Sequence, residues 1–452
     1  MPAPVTIAVV GAGVRGRTYA ACAAATGKAT VVAVAEPRAQ ARDTLAAEHG
    51  IGAEAVFDDW RALLERPRIA DVAVIATQDA DHVEPAVELA RRGYHLLLEK
   101  PMATSEADCE RIVTAAEDAG VLLAVCHVLR YMPYSRRLKA IVDSGRIGDI
   151  VSVEHLEPVG WWHQAHSYVR GNWRREDTST FMLMAKSCHD LDWLTHLIGR
   201  PAVRVSSFGG LYEFRPERRP DGAADRCLDC AVEPTCPYSA PRIYRPLLDE
   251  PDRLWPLSVV TDDRTEEGLL SALRDGPYGR CVYACDNDVV DHQVVNLEYT
   301  GGVTASFTMT AFTPLDFRKT RVFGTRGSIE GDGRTITVHD FLDGTEVIDV
   351  ESSGGATADD GHGGGDQGLV EAFVEAVATG DAGHILSSGR ESLDTHRLVW
   401  AAERARRTGT VVTLTDPAPT DPAPSATAHH TAAPGAASTD SAPSGAHSEV
   451  AR

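Results

Sequence analysis

The first chemistry the chain offers lies close to its start. Gly11-Ala-Gly13-Val14-Arg15-Gly16 follows the strand-like run Ile7-Ala-Val-Val10 and opens the helical stretch Arg17-Ala25. Glycines at that spacing make a tight turn, and they let backbone N–H groups approach a pyrophosphate where a helix begins. Glu36, about 20 residues beyond Gly16, ends the next apolar run. A carboxylate there accepts hydrogen bonds from a ribose 2′-hydroxyl and repels a 2′-phosphate, which favours NAD over NADP. Arg38 keeps the other choice open: it either meets a 2′-phosphate or sits solvated in a surface loop.

Two further clusters carry chemistry. Trp161-Trp162-His163, His166, Arg170 and Trp173 concentrate indoles, imidazoles and a guanidinium within one segment. Such groups stack on and hydrogen-bond sugar rings, and the indoles serve equally as core. Cys227-Leu-Asp-Cys230, Cys236 and Cys281-Val-Tyr-Ala-Cys285 supply five thiols. Four thiolates satisfy tetrahedral zinc or an iron–sulfur cluster, and the plainer reading leaves all five thiols free and partly buried. The intervening stretch is rich in Pro, Arg and Asp without clear periodicity, so a structural zinc is the expected staple of an insertion at about 215–285.

These groups need a scaffold, and the hydrophobic pattern describes one. Ile7–Val10, Val31–Ala35, Val72–Ala76, His95–Glu99 and Val121–Val125 are apolar, β-branched runs separated by helical stretches. That alternation implies a parallel sheet covered on both faces. After His127 the texture changes. Val294–Tyr299 and Val303–Thr308 alternate in polarity around Gly301-Gly302, the signature of an antiparallel hairpin. A mostly antiparallel second sheet follows from it. Residues 353–368 read as a glycine-rich loop, with helices expected at Leu369–Val377 and Leu393–Arg407. From Asp416 to Arg452 one large aliphatic residue stands amid Ala, Pro, Ser, Thr and Asp, so a disordered tail is expected at 416–452.

Size and charge exclude several classes of function. At 452 residues the chain exceeds a single core and calls for two domains. Lys and Arg number 44 against 65 Asp and Glu, a net charge of −21 that repels nucleic acid and anionic lipid. No stretch approaches the roughly 20 apolar residues of a membrane span, and the N-terminus lacks the features of a signal peptide. The expected location is the cytoplasm, where nine cysteines do not suggest a disulfide framework.

Beyond the glycine motif, Glu99-Lys100-Pro101 closes a strand, and Ala185-Lys186-Ser-Cys-His189-Asp190-Leu-Asp192 lies in the second region. Together with His127 through Pro133 and Gly145-Arg-Ile-Gly148, they give a chain that resembles the glucose-fructose oxidoreductase and inositol dehydrogenase (Gfo/Idh/MocA) family over roughly residues 5–415. The resemblance implies an α/β fold. A Rossmann domain with a doubly wound parallel sheet spans 1–126, and an α/β domain with an open, mainly antiparallel sheet spans 127–415. It also implies homo-oligomers, dimers or tetramers, built on that sheet, and a sugar, cyclitol or glycoside as substrate.

Site residues follow from the same likeness. Lys100 matches the lysine that reaches the reacting oxygen and the nicotinamide ribose, and Glu99 neighbours it among the cofactor contacts. His189 matches the second-motif histidine, an imidazole suited to proton transfer. The aspartate four residues before that histidine is here Ala185, and Lys186 beside it is a candidate substitute. Substrate-facing candidates are His127, Arg130, Tyr131, Asp190 and His292, with Trp161, His163, His166 and Arg170. The leading expectation is an NAD-dependent dehydrogenase acting on a CH–OH group. A redox-neutral enzyme that retains NAD, and a sensor that binds NAD without chemistry, are the alternatives raised by Ala185.

Overall fold

The computed structural model describes residues 3–250, 255–351, 355 and 361–414. The tail expected at 416–452 and part of the glycine-rich stretch at 353–368 lie outside them. The short apolar runs of the N-terminal region form six strands: β1 (Val5–Val10), β2 (Ala29–Ala35), β3 (Val56–Phe57), β4 (Val72–Ile75), β5 (His95–Leu98) and β6 (Leu123–Val125). All pair in parallel, in the order β3-β2-β1-β4-β5-β6. Because side chains alternate across a strand, Val5, Ile7 and Val9 fill one layer and Ala8 and Val10 the other. The first layer packs against helix α1 (Val14–Ala25) through Tyr19, Ala20 and Ala23.

The second sheet comprises β7 (Ile150–Pro158), β8 (Ala202–Gly210), β9 (His292–Tyr299), β10 (Thr304–Thr310), β11 (Lys319–Gly324), β12 (Gly327–Gly331), β13 (Thr335–Asp340), β14 (Gly344–Asp349) and β15 (Val412–Thr413). Its order is β14-β13-β12-β11-β7-β10-β9-β8-β15, antiparallel except for the β7–β10 pair. The β9–β10 hairpin turns through Gly301 and Gly302 at φ 82° and 83°, a conformation that disfavours any side chain. One face of the sheet carries helices α2 (Cys188–Ile198) and α4 (Gly389–Thr408) on a shared apolar core. The opposite face leaves Val151, Phe208, Phe323 and Val347 exposed.

The two halves interlock. Helix α3 (Gly365–Thr379) returns to the first sheet and packs Leu369, Val370, Phe373 and Val374 beside Val5, Ile7 and Val9. Residues 1–414 thus form one unit. No helix among the described residues is long and apolar enough to cross a membrane.

The segment 211–291 joins β8 to β9 and covers the stretch of about 215–285 read as an insertion, and the structure gives no support to the zinc staple expected there. Among the described residues, no three His, Cys, Asp or Glu side chains are arranged to hold a metal ion. Cys227, Cys230, Cys236 and Cys281 line one small cavity, but Arg170 lines it too, and a buried guanidinium repels a dication. Burial also raises the Cys236, Cys281 and Cys285 thiols above their ordinary pKa, which favours the protonated form. The insertion is instead held by its own apolar cluster, in which Phe214, Tyr244, Leu257, Leu269 and Leu273 are fully enclosed. Arg170 stitches it, donating to the carbonyls of Arg280 and Tyr238 at 2.8 Å each.

Candidate active site

The site begins at the C-terminal ends of the parallel strands, where the sheet order reverses between β1 and β4. Gly11 has φ 93°, and a Cβ on it would fall 2.5 Å from the Ala76 carbonyl oxygen. A Cβ on Gly16 would fall 1.9 Å from the Gly11 oxygen. Only glycine fits either position, so the loop wraps tightly under the start of α1. That helix begins at Val14, after Gly13, with no side-chain cap and no acidic residue in its first turn. Its first N–H groups therefore remain available to an anion. Glu36 is buried at the end of β2, and its Oε2 accepts the Ala12 N–H at 2.8 Å. Burial works against its charge, but hydrogen bonds from Arg38 and Ala12 outweigh that and hold the carboxyl below its usual range. Arg38 grips the same carboxylate at 2.8 and 3.0 Å.

Arg15 points across the loop to the second motif. Its Nε donates to Glu99 Oε1 at 2.6 Å, and its Nη1 and Nη2 reach the two oxygens of Asp366 at 3.1 and 2.5 Å. Glu99 also accepts from Tyr19 Oη and from the Lys100 N–H. The carboxylate before Lys100 thereby fixes the backbone that aims the lysine. Lys100 Nζ donates to the Ala185 carbonyl at 2.8 Å, at the end of the short helix Met182–Ala185 that precedes α2. A backbone oxygen at residue 185 thus receives the ammonium where the family pattern has an aspartate.

His189, on the first turn of α2, completes this meeting of the two halves. It is 5% exposed, and its Nδ1 has no partner. Burial, reinforced by the Lys100 charge, pushes its pKa well below the usual imidazole value. His127 sits edge-on to it, with ring centres 5.7 Å apart, and is held by burial at about 4. His396 of α4 packs on His127 from the far side, and its Nε2 accepts the Met102 N–H at 3.1 Å. The rings of His189, His127 and His396 therefore pack in series, and burial disfavours the charged form of all three.

Lys186 turns away from the Lys100 ammonium and pairs with Glu157 Oε1 at 3.1 Å. Arg318 bridges Glu157 and Asp190 at 2.8 Å to each, and His155 Nε2 also contacts Asp190 at 3.1 Å. Burial opposes the Asp190 charge, but Arg318 outweighs it and keeps the group ionised. Glu157, Arg318 and His155 carried no signal in the sequence, since they come from strands and loops far from either motif. Asp79, beyond β4, was missed as well. It accepts from Trp173 Nε1 at 3.1 Å and Ser179 Oγ at 3.2 Å, docking the tryptophan segment onto the first sheet.

Several expected substrate contacts are redirected by the structure. Arg130 is 4% exposed and binds Asp192 through two bonds of 2.7 Å, so its guanidinium is consumed internally. Tyr131 Oη bonds the Leu386 and Ser387 N–H groups and the Ser387 hydroxyl. His166 lies inside the insertion core, stacked on Tyr278 and bonded to Tyr244 Oη at 2.8 Å, while Arg170 is the stitch described above. His292 stands at the start of β9 against Asp291 and Tyr212, away from the cluster. His163 remains near it: burial and then the Lys186 charge depress its pKa. Trp161 and Trp162 line a cleft of about 220 Å³ with Arg242, Glu250 and Pro256.

The arrangement matches a known family over nearly all of the described chain. Residues 5–127 match the oxidoreductase family's NAD-binding Rossmann fold, and residues 139–414 match its C-terminal alpha/beta domain. The chain belongs to the Gfo/Idh/MocA oxidoreductase family. Within that family it is 25% identical to the putative oxidoreductase YteT of Bacillus subtilis over 322 residues, 67% of this chain and 71% of that protein. It is 28% identical to the 2,7-anhydro-N-acetylneuraminate hydratase of Escherichia coli over 143 residues, 32% of this chain and 37% of the relative. The chain spans about a third to a half of the lengths of several other curated relatives, among them levoglucosan dehydrogenase of Pseudarthrobacter phenanthrenivorans at 51%. The solved structure of levoglucosan dehydrogenase with NADH and levoglucosan superposes with a TM-score of 0.68 at 17% identity, covering 91% of this chain and 100% of that one. That likeness establishes the shared fold.

Proposed function

We propose that this protein is an NAD-dependent dehydrogenase that oxidises a secondary hydroxyl of a sugar, cyclitol or glycoside. One observation carries the reading. Lys100, at the end of a Rossmann strand, donates at 2.8 Å to the turn that presents His189, so two proton-carrying groups from the two halves converge. The glycine cradle, the uncapped start of α1 and the ionised Glu36 fit NAD, and Glu36 disfavours a 2′-phosphate. When bound, NAD supplies the hydride acceptor. The Lys100 ammonium holds the substrate hydroxyl oxygen and stabilises it as its proton leaves. His189, neutral through burial, accepts a proton without first having to lose one. Glu99 and Arg15 keep the lysine aimed, and the buried histidines exclude water from the reacting carbon. Lys186 and Arg318, anchored on Glu157 and Asp190, orient substrate oxygens. We read the protein as a cytoplasmic enzyme that assembles through the exposed face of its second sheet.

Ala185 favours a second reading. Without a carboxylate beside the base, oxidation is a transient step of elimination or hydration and NAD returns to its starting state; one relative is named a hydratase. The two readings separate in one assay. Levoglucosan, myo-inositol, D-glucose and methyl glucosides are incubated with NAD, with absorbance followed at the NADH band and products weighed by mass spectrometry. A dehydrogenase accumulates one NADH per carbonyl product, whereas the redox-neutral enzyme yields product without NADH.

A further inference from the structure

His362 is the one non-glycine residue with positive φ among the described residues, at φ 46° and ψ 50°. Left-handed backbone in such a residue costs free energy that its surroundings must offset, and such strain collects at functional sites. The turn Gly361–Gly364 that holds it is tightly seated. A Cβ on Gly363 would lie 2.8 Å from Met132 Cε, and one on Gly365 2.6 Å from the Val128 oxygen.

Held there, the imidazole is both oriented and placed. Its Nδ1 lies 3.0 Å from Asp366 Oδ2, and Arg15 grips both oxygens of that carboxylate. Asp366 stays ionised, because the Arg15 and His362 interactions outweigh the burial that opposes its charge. An ionised partner fixes the proton on Nδ1 and leaves the Nε2 lone pair free. The ring centre is 6.3 Å from that of His189, a span that one water can bridge. The His362 side chain is 17% exposed, so it has an outlet that the 5%-exposed His189 lacks.

We propose that His362 is a proton-relay residue. The substrate loses a hydride to NAD and its one hydroxyl proton to His189, while the Lys100 ammonium holds the oxygen. That proton passes from His189 through a water to Nε2 of His362 and then to solvent, so the protein ends each cycle unchanged. The groups facing His362 are Asp366, Arg15, Arg318 and His189. Asp366 supports the charged imidazole, while the strongest charges on His189 after burial are those of Lys100, His127 and Arg318. Burial lowers the His362 pKa too, but Asp366 at 3.0 Å opposes that lowering and no carboxylate does so at His189, so of the two rings His362 is the better resting place for the proton. This inference rests on the dehydrogenase reading.

The test uses His362→Asn, because asparagine tolerates left-handed backbone and the change removes only the imidazole. On a substrate that the unaltered protein oxidises, turnover should fall about 10²-fold, NAD affinity should hold, and added imidazole should restore part of the rate. Wild-type turnover and pH profile in the variant, or a loss that imidazole does not relieve, overturns the relay. A second readout needs no substrate. In nitrogen-15 NMR of the NAD-loaded protein, the histidine signal that vanishes in His362→Asn should be the Nδ1–H tautomer and should titrate. A signal from the Nε2–H tautomer, or one that never titrates, also overturns it. If the unaltered protein makes no NADH from the substrate panel, the dehydrogenase reading itself fails.

Discussion

Replacing Arg130 by Met separates a substrate contact from a structural clamp. The guanidinium binds Asp192 through two bonds of 2.7 Å, and the two side chains are 4% and 0% exposed. Removing one partner of a buried pair costs about 3–5 kcal/mol, because the remaining charge is stranded. Thr395 Oγ1, at 3.2 Å from Asp192, still donates, so we expect a loss of about 3 kcal/mol. At about 2 °C per kcal/mol for a large chain, the melting temperature should fall by roughly 6 °C. The pH dependence fixes the cause. In the unaltered protein Arg130 outweighs burial and depresses the Asp192 pKa, so the contribution is present above the unfolded value of about 3.9 and is lost as pH falls through the folded one. In the variant, burial dominates and raises the folded pKa, so stability returns as the carboxyl protonates. Melting curves at about pH 7.5 and about pH 5.5 should therefore show the deficit shrinking in acid. Arg130→Met/Asp192→Leu should recover most of it. A deficit under about 1 kcal/mol, or one that ignores pH, would refute this account, and a raised KM with unchanged melting would restore Arg130 to the substrate.

Other expectations can be checked separately. Lys100→Met keeps the aliphatic stem but removes the ammonium, so turnover should drop about 10²–10⁴-fold while calorimetry finds NAD affinity nearly unchanged. Glu36→Ala should narrow the preference for NAD over NADP in competitive titrations; tighter NADP binding by the unaltered protein would contradict the role given to Glu36. Burial lifts the Cys109 and Cys188 thiols to about 12, so both should resist a thiol reagent until the chain is unfolded. Metal analysis of untagged protein should find no stoichiometric zinc, and one zinc per chain would reverse the reading of the insertion.

What the sequence disclosed was local. The glycine turn, the strand ends carrying Glu36 and Lys100, and the Gly301-Gly302 hairpin depend on neighbouring residues, and each formed where the pattern put it. Helix α1 starts at Val14, three residues before the expected helical stretch, since the last turn of the glycine motif is already helical. Long-range partnership was not legible. Nothing near Arg130 in the chain announces Asp192, so Arg130 was read as a substrate contact, and nothing near Lys186 announces Glu157 or Arg318, so Lys186 was read as a catalytic substitute with no sign of its partners. The zinc expectation went unsupported for the same reason: thiol spacing does not reveal that Arg170 lines the cavity the cysteines share. His362 and Asp366 stood four residues apart in a stretch read only for its glycines, and their spacing was the available signal.

The measurement that tests the central claim most directly follows hydride itself. A panel sugar or cyclitol deuterated at its carbinol carbons is turned over with NAD by the unaltered protein and by Lys100→Met, and the reduced cofactor is weighed. The account predicts deuterated NADH released in equal amount with carbonyl product, and a large loss of both in the variant. Product formed without NADH, or undiminished deuterium transfer in Lys100→Met, would contradict it.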